Sequence, residues 1–209
     1  MSTLTVGAPA SIPPVLPPAA PTPELYRLSV DQYHAMARAG ILTEKDRVEL
    51  IEGLLVQRMT KNPPHTLATQ LTRVAVEGAL PAGWFVNVQE PITTATSEPE
   101  PDISVVKGTR RQFASQHPRP QDVGVVIEVA DSSLATDRGL MKQTYASANI
   151  PVYWIVNLVD SQVAVYTDPT GPASQPDYRQ RRDYGPTDAV PLVLDGHEVA
   201  RIPVSELLP

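Results

Sequence analysis

The sequence predicts a mixed α/β (α+β) fold in which helices flank a central sheet. Residues 123–129 are apolar at nearly every position, as expected of a central strand that is buried on both faces. A helical pattern separates this run from the strand candidate at residues 152–157. Because a strand–helix–strand unit of this kind usually forms a right-handed crossover, the sheet is predicted to be partly parallel.

The first half of the chain is predicted to hold two helices and a hairpin. Ser29 can cap a helix that ends at Gly40. Residues 47–59 contain two short apolar runs divided by Glu52-Gly53, which is the pattern of a β-hairpin. A second helix is predicted over residues 65–80, where a Pro-Ala-Gly sequence ends it. Its predicted buried face comprises Leu67, Leu71, Val74 and Ala75.

The second half of the chain is predicted to consist of strands and one further helix. Runs of β-branched and aromatic residues predict strands at residues 84–88, 103–106, 123–130, 152–157 and 162–167. The helix is predicted over residues 137–149, with a common side formed by Leu140, Met141, Thr144, Tyr145 and Ala148. Tyr145 is therefore expected to pack in the core.

Composition restricts the class of protein and of metal site. Residues 8–23 contain seven prolines, so residues 1–24 are predicted to form a disordered tail and residues 25–209 a single domain. The sequence shows no membrane-spanning apolar run and no signal-peptide pattern, so a cytosolic protein is expected. The absence of cysteine excludes disulfides and thiolate ligands, which leaves oxygen and imidazole groups for a hard cation such as Mg²⁺.

The net charge of −6 argues against a protein that coats nucleic acid by neutralising many phosphates. It does not exclude a nuclease, because a carboxylate site is itself acidic and a bound cation reverses the local field. Two basic clusters could contact phosphates, although each is equally compatible with a solvated surface patch. They comprise Lys107, Arg110 and Arg111, and Arg179, Arg181 and Arg182.

Two carboxylates interrupt segments that are otherwise apolar. Asp102 directly precedes the strand predicted at residues 103–106, and Glu128 lies within residues 125–129. A buried charge without a partner is costly, so each carboxylate needs compensation. One shared divalent cation would provide it, because Mg²⁺ is commonly held by one or two carboxylates with water and phosphate. An ion pair with an arginine, or a turn after Pro101, would also account for them.

Five segments in a fixed order resemble the Uma2 family, a group of predicted nucleases with the restriction-endonuclease-like fold. The resemblance covers residues 28–157, most of the predicted domain. The matching segments are residues 47–53 (RVELIEG), 101–106 (PDISVV), 126–129 (VIEV), 137–139 (DRG) with Lys142 and Tyr145, and 151–156 (PVYWIV).

The resemblance implies a metal-dependent endonuclease that acts on DNA. In the wider superfamily a lysine follows the second acid by two residues, but Ala130 stands at that position here. The resemblance implies that Lys142, on the following helix, replaces this lysine and orients the attacking water. It also implies that Glu49 joins the site as a third acid. The resulting hypothesis is that Mg²⁺ or Mn²⁺ binds Asp102, Glu128 and the carbonyl of Val129.

Several alternatives stay open. Without catalysis the same fold would be a binding module, which Ala130 and the acidic net charge favour. A glycosidase would use Glu128 with Asp102 or Glu49 as its acid and base, although an aromatic content of 5% offers few rings for sugar stacking. His65 is expected to be exposed or to cap its helix, with a phosphate contact as the alternative. The apolar residues 190–194 could extend a sheet or form a homodimer contact.

Overall fold

Ten strands and four α-helices make up the computed structural model, which describes residues 24–209. In chain order they are α1 (Val30–Arg38), β1 (Val48–Ile51), β2 (Leu54–Gln57), α2 (Pro63–Ala79), β3 (Trp84–Asn87), β4 (Ile103–Lys107), β5 (Val123–Ala130), α3 (Leu134–Thr136), α4 (Lys142–Ser147), β6 (Val152–Asn157), β7 (Gln162–Pro169), β8 (Tyr178–Tyr184), β9 (Ala189–Leu194) and β10 (His197–Pro203). A π-helical turn, Asp137–Met141, joins α3 to α4. Apart from Glu24, the tail predicted at residues 1–24 lies outside the described residues.

Strands β3 to β8 form a central six-stranded sheet in sequence order. Strands β5 and β6 are parallel, and every other neighbouring pair is antiparallel. This mixed sheet confirms the predicted fold class. The five predicted strands are all present, and their bounds differ from the prediction by two residues at most. Within residues 24–209, no helix is long and apolar enough to cross a membrane.

Local sequence signals form α1 and the first hairpin as predicted. The Ser29 side chain accepts a hydrogen bond from the backbone N–H of Gln32, and the Gln32 side chain accepts one from the backbone N–H of Ser29. Strands β1 and β2 pair across a two-residue turn at Glu52 and Gly53, whose φ angles are 48° and 76°. Two successive left-handed residues are what the preferred hairpin turn requires.

Elements on both faces cover the central sheet, and all eight residues of β5 are buried. On one face, α2 and the β9–β10 hairpin pack over Val125 and Ile127. On the other face, β1 and the helical segment after β5 pack over Val126 and Ala130. Strand β5 is therefore the covered central strand that its apolar sequence predicts.

The buried face of α2 differs from the prediction, although the predicted Ala75 is half-buried against the core. Leu67 and Val74 are 49% and 59% exposed, whereas Ala68, Thr72 and Val76 are fully buried. These three residues are spaced by four and form one stripe along the helix. Because their side chains are small, α2 can lie close to the sheet, and the larger apolar side chains on the neighbouring face remain in solvent.

The C-terminal region contains two strands that the prediction lacked, β8 and β10. Strand β8 has exposed charged and polar residues between its two end tyrosines, which is typical of an edge strand but gives no alternating apolar pattern. Residues 190–194 belong to β9, which pairs with β10 in a separate two-stranded sheet. Val190 and Leu192 are buried against the central sheet, so this segment neither extends that sheet nor offers these side chains to a second copy.

Candidate metal and catalytic site

Asp102 and Glu128 lie side by side on one face of the central sheet. Strands β4 and β5 are antiparallel with Ile103 opposite Ile127, so the residue before Ile103 and the residue after Ile127 come together. Successive side chains of a strand alternate between its faces, so Glu128 shares a face with Val126. That face is the one covered by α4.

Two hydrogen bonds orient the carboxylates of this pair. The backbone N–H of Asp102 donates to Oε2 of Glu128 at 3.1 Å, and the backbone N–H of Val129 donates to Oδ2 of Asp102 at 3.0 Å. Both acids are buried, with 7% and 8% of their surface exposed. In an extended strand the N–H and C=O of one residue point to the same side. The carbonyl of Val129 is therefore directed toward the Asp102 side of β5.

The paired acids line a cavity of about 610 Å³ together with three further carboxylates, those of Glu49, Glu100 and Asp137. Its walls come from the β1–β2 hairpin, the start of α2 and the π-helical turn. Glu49 faces the cavity from β1, and its Oε2 accepts a hydrogen bond from the backbone N–H of Glu100 at 3.0 Å. Asp137 faces it from the π-helical turn, and its Oδ2 accepts a hydrogen bond from Ser133 at 2.7 Å. The prediction missed Asp137 as a cavity-lining acid.

Burial and mutual repulsion raise the pKa values of three of these acids. Burial raises the pKa of Glu49 to about 7, and the charge of Asp102 adds to this effect. The pKa of Asp137 also rises to about 7, chiefly through burial. Burial, and then the charges of Asp102 and Asp137, raise the pKa of Glu128 well above its usual range. A positive charge in the cavity would relieve this repulsion.

Tyr145 supports Glu128 from beneath the site. Its side chain is fully buried in the core, as predicted, and its hydroxyl donates to Oε1 of Glu128 at 2.7 Å. Burial raises the pKa of Tyr145, so the hydroxyl stays protonated and remains a donor. This hydrogen bond favours the ionised form of Glu128 and partly offsets the cost of burying it.

Two basic residues that the prediction did not assign to the site, His65 and Lys61, approach Asp102. The imidazole Nε2 of His65 lies 3.0 Å from Oδ2 of Asp102, and the ammonium of Lys61 lies 3.7 Å from Oδ1. His65 does not cap α2, because the Asn62 side chain accepts from the backbone N–H of His65 at 3.0 Å. An Asn directly before two prolines is a helix-start signal, and it would have moved the predicted start of α2 and turned His65 toward the sheet.

The structure does not bring Lys142 together with the acids. Its ammonium lies 2.7 Å from Oδ1 of Asp177 and 5.7 Å from the centre of the Tyr166 ring, outside the cavity lining. The physical reason is the direction in which each side chain points around the helix axis, that is, the phase of the helix. Met141 lines the cavity and Tyr145 lies one turn later on the same side, so Lys142 points about 100° away. This geometry gives no support to the predicted role of Lys142.

The predicted basic clusters also lie away from the acids. Lys107 is at the opposite end of β4 from Asp102, roughly 16 Å away at the usual rise of a strand. On β7 and the edge strand β8, Arg179 pairs with Asp168, and Arg181 pairs with Asp183. These contacts favour the interpretation of solvated surface patches.

A hard divalent cation fits the donors of this site, although its ligands are incomplete. Within residues 24–209, no three His, Asp or Glu side chains form a group that could hold a metal ion by themselves. Mg²⁺, however, is commonly held by one or two carboxylates, with water and phosphate supplying the other positions. Asp102 and Glu128 provide two adjacent carboxylates, and the carbonyl of Val129 points to the same side of β5.

The fold defines the class of protein, which is the restriction-endonuclease-like class that the sequence predicts. The structure is similar to the crystal structure of "a putative nuclease belonging to DUF820" from Anabaena variabilis ATCC 29413, with a TM-score of 0.60 and 14% sequence identity. The similarity covers 86% of this chain and 97% of that chain.

The family itself follows from the sequence. The Uma2 family model, described as "Putative restriction endonuclease", matches residues 30–201. The chain therefore belongs to the Uma2 family, as its resemblance to that family predicts, and this membership supports a nuclease function. No curated protein was found to match the chain.

Proposed function

We propose that this protein is an endonuclease that hydrolyses phosphodiester bonds of DNA and depends on Mg²⁺ or Mn²⁺. The observation that carries the proposal is the pair of adjacent buried carboxylates, Asp102 and Glu128, which face one cavity. Glu128 accepts a hydrogen bond from the backbone of Asp102, and Asp102 accepts one from the backbone of Val129. Membership of a family described as restriction endonucleases favours DNA over RNA.

Five residues of the site have distinct parts in this proposal. Asp102 and Glu128 would hold the ion through carboxylate oxygens, Val129 through its carbonyl, and Glu49 would complete the acidic wall. A bound divalent ion supplies a Lewis acid for the phosphoryl oxygens and lowers the pKa of water. Tyr145 holds Glu128 in place and favours its ionised form.

Amide substitution of the paired acids tests this function. Asp102→Asn and Glu128→Gln keep the size of each side chain but remove a negative ligand, so we expect Mn²⁺-dependent cleavage of plasmid DNA to fall at least about 100-fold. Asp195→Asn is the matched control, because this exposed acid lies on the β9–β10 hairpin and outside the cavity. Undiminished cleavage by either site variant, with a circular dichroism spectrum like that of the parent, would contradict the assignment.

A non-catalytic binding module is the second candidate. It is favoured by Ala130, which is buried and uncharged, and by the contact of Lys142 with Asp177. Calorimetric titration with Mn²⁺ separates the two, because the nuclease requires metal uptake that depends on Asp102. No uptake at millimolar Mn²⁺ would favour the module.

A glycosidase has less support from the cavity. Among its lining residues in the described part of the chain there is no Trp, Tyr or Phe on which a sugar ring could stack. Hydrolysis of a glycoside in the absence of metal would support the glycosidase alternative.

A further inference from the structure

A nuclease site with this many acids needs a positively charged side chain that can bind the substrate phosphate. Glu49, Asp102, Glu128 and Asp137 all line the cavity, and a phosphodiester brings a further negative charge. A fixed positive group beside the reacting phosphate stabilises the charge that develops in the transition state. The basic residues that line the cavity are Arg47, Arg58, Lys61 and His65.

Three of these four basic residues have close partners within the protein. The guanidinium of Arg58 forms an ion pair with Glu100. Arg47 donates to the backbone carbonyl of Met59 at 3.4 Å. His65 is 3.0 Å from Asp102, and its side chain is only 13% exposed. Neither arginine forms an ion pair with Asp102 or Glu128, and the single contact of Arg47 leaves most of its guanidinium donors free.

Lys61 differs from the other three residues. Its ammonium lies 3.7 Å from Oδ1 of Asp102, which is longer than a hydrogen bond, and its side chain is 36% exposed. An ammonium has three donors and a flexible stem, so Lys61 can stay beside Asp102 and still bind a phosphate oxygen.

The next residue, Asn62, fixes the backbone beside Lys61 through two side-chain hydrogen bonds. The Asn62 side chain accepts from the backbone N–H of His65 and donates to Oδ2 of Asp131 at 2.6 Å. Asp131 directly follows β5, the strand of Glu128. Asn62 therefore ties the segment before α2 to the strand that bears the metal site, and this restricts where the Lys61 ammonium can go.

We propose that Lys61 is the catalytic lysine of this site and binds the scissile phosphate beside Asp102. The inference rests on the proposed nuclease function. The chain has four lysines, at positions 45, 61, 107 and 142, and of these Lys61 lines the cavity. Lys142, which the family resemblance favours, is engaged by Asp177.

The test compares Lys61→Met with Lys142→Met in single-turnover cleavage of a labelled DNA duplex with Mn²⁺. We expect K61M to lower the rate at least about 100-fold. Lys61→Arg should recover most of the rate, because it restores the positive charge. K142M and the exposed control Lys45→Met should stay within about threefold of the parent, since neither side chain lines the cavity.

A second readout reports phosphate contact without catalysis. DNA binding is measured by fluorescence anisotropy in EDTA at several salt concentrations. K61M should reduce the slope of log affinity against log salt by about 0.9, the value for one lost phosphate contact, whereas K142M should not change it. The midpoint of thermal unfolding of K61M should match that of the parent, because the residue is partly exposed and precedes α2.

The possible outcomes separate this inference from the proposed function. Parent-like cleavage and an unchanged salt slope in K61M would overturn the role of Lys61 and leave the nuclease assignment standing. The same holds if K142M alone loses activity. If the unaltered chain does not cleave DNA, the proposed function fails and the inference fails with it.

Discussion

A carboxylate at position 128 interrupts a strand that is buried from Val123 to Ala130. Glu128 is tolerated because each of its oxygens accepts a hydrogen bond, one from the backbone of Asp102 and one from Tyr145. Hydrogen bonds of this kind offset part of the desolvation cost, but they do not neutralise the charge. A bound cation would remove the remaining repulsion among Glu49, Asp102, Glu128 and Asp137.

Glu49 should make stability depend on pH. Its pKa is about 7 in the fold, against an ordinary value of 4.5. Below pH 4.5 the group is protonated in both states, so it has no effect on the free energy of unfolding. Between these two pKa values the unfolded chain loses the proton first, so the free energy of unfolding falls as pH rises. Well above pH 7 the loss is complete and amounts to about 3 kcal/mol.

Glu49→Gln should abolish this part of the pH dependence. Without metal, we expect the variant to be more stable than the parent at pH 8 by about 1–3 kcal/mol and to match it near pH 4.5. Urea unfolding in EDTA at both pH values measures the difference, with the exposed Glu206→Gln as control. A variant as stable as the parent at both pH values would refute the expected destabilisation.

At the scale of elements, the start of α2 links the helix to the site. The Asn62 side chain caps the helix and contacts Asp131 after β5, while the flanking Lys61 and His65 approach Asp102. A local capping interaction thus positions the Lys61 ammonium and the His65 imidazole against the acid that precedes β4.

Removing this cap should affect both stability and activity. We expect Asn62→Ala to lower the free energy of unfolding by about 1–2 kcal/mol, the usual cost of a lost N-cap, and to reduce cleavage about 10-fold through looser placement of Lys61. Ser29→Ala is the matched control, because it removes the cap of α1 outside the cavity. It should cost about 1 kcal/mol and leave cleavage unchanged. Equal activity losses in the two variants would point to a general effect of stability.

At the scale of the whole molecule, both faces of the sheet carry a hydrophobic core, and one of these faces also carries the site. The acid pair lies on the face covered by β1 and α4, whereas α2 and the β9–β10 hairpin close the opposite face with apolar side chains. Leu192 of β9 is fully buried in that opposite core. Its packing should therefore matter for folding and not for chemistry.

Leu192→Ala separates these two roles. We expect it to reduce the free energy of unfolding by about 2–5 kcal/mol, because it leaves a cavity in the core, while the folded fraction keeps the parental cleavage rate. Val199→Ala on β10, where the side chain is 38% exposed, should cost about 0.5 kcal/mol or less. Denaturant unfolding and cleavage assays at low temperature measure both quantities. Leu192→Ala protein that folds but has lost metal-dependent cleavage would argue against the separation of the two faces.

The sequence by itself determined the elements whose signals are local. The cap at Ser29, the Glu52-Gly53 turn and the continuous apolar run of β5 each depend on residues that are close in the chain, and the structure agrees with all three. It also singled out Asp102 and Glu128, because a charge in an apolar strand needs compensation wherever the strand lies.

Only the tertiary structure decided which side chains meet at the site. Asp102 and Glu128, which are 26 positions apart in the chain, are brought together by the β4–β5 register, and the packed start of α2 places Lys61 beside the pair. Lys142 is carried away because a π-helical turn and the packing of Met141 and Tyr145 set the phase of the helix. Such contacts depend on strand register and helix phase, which result from packing between distant segments.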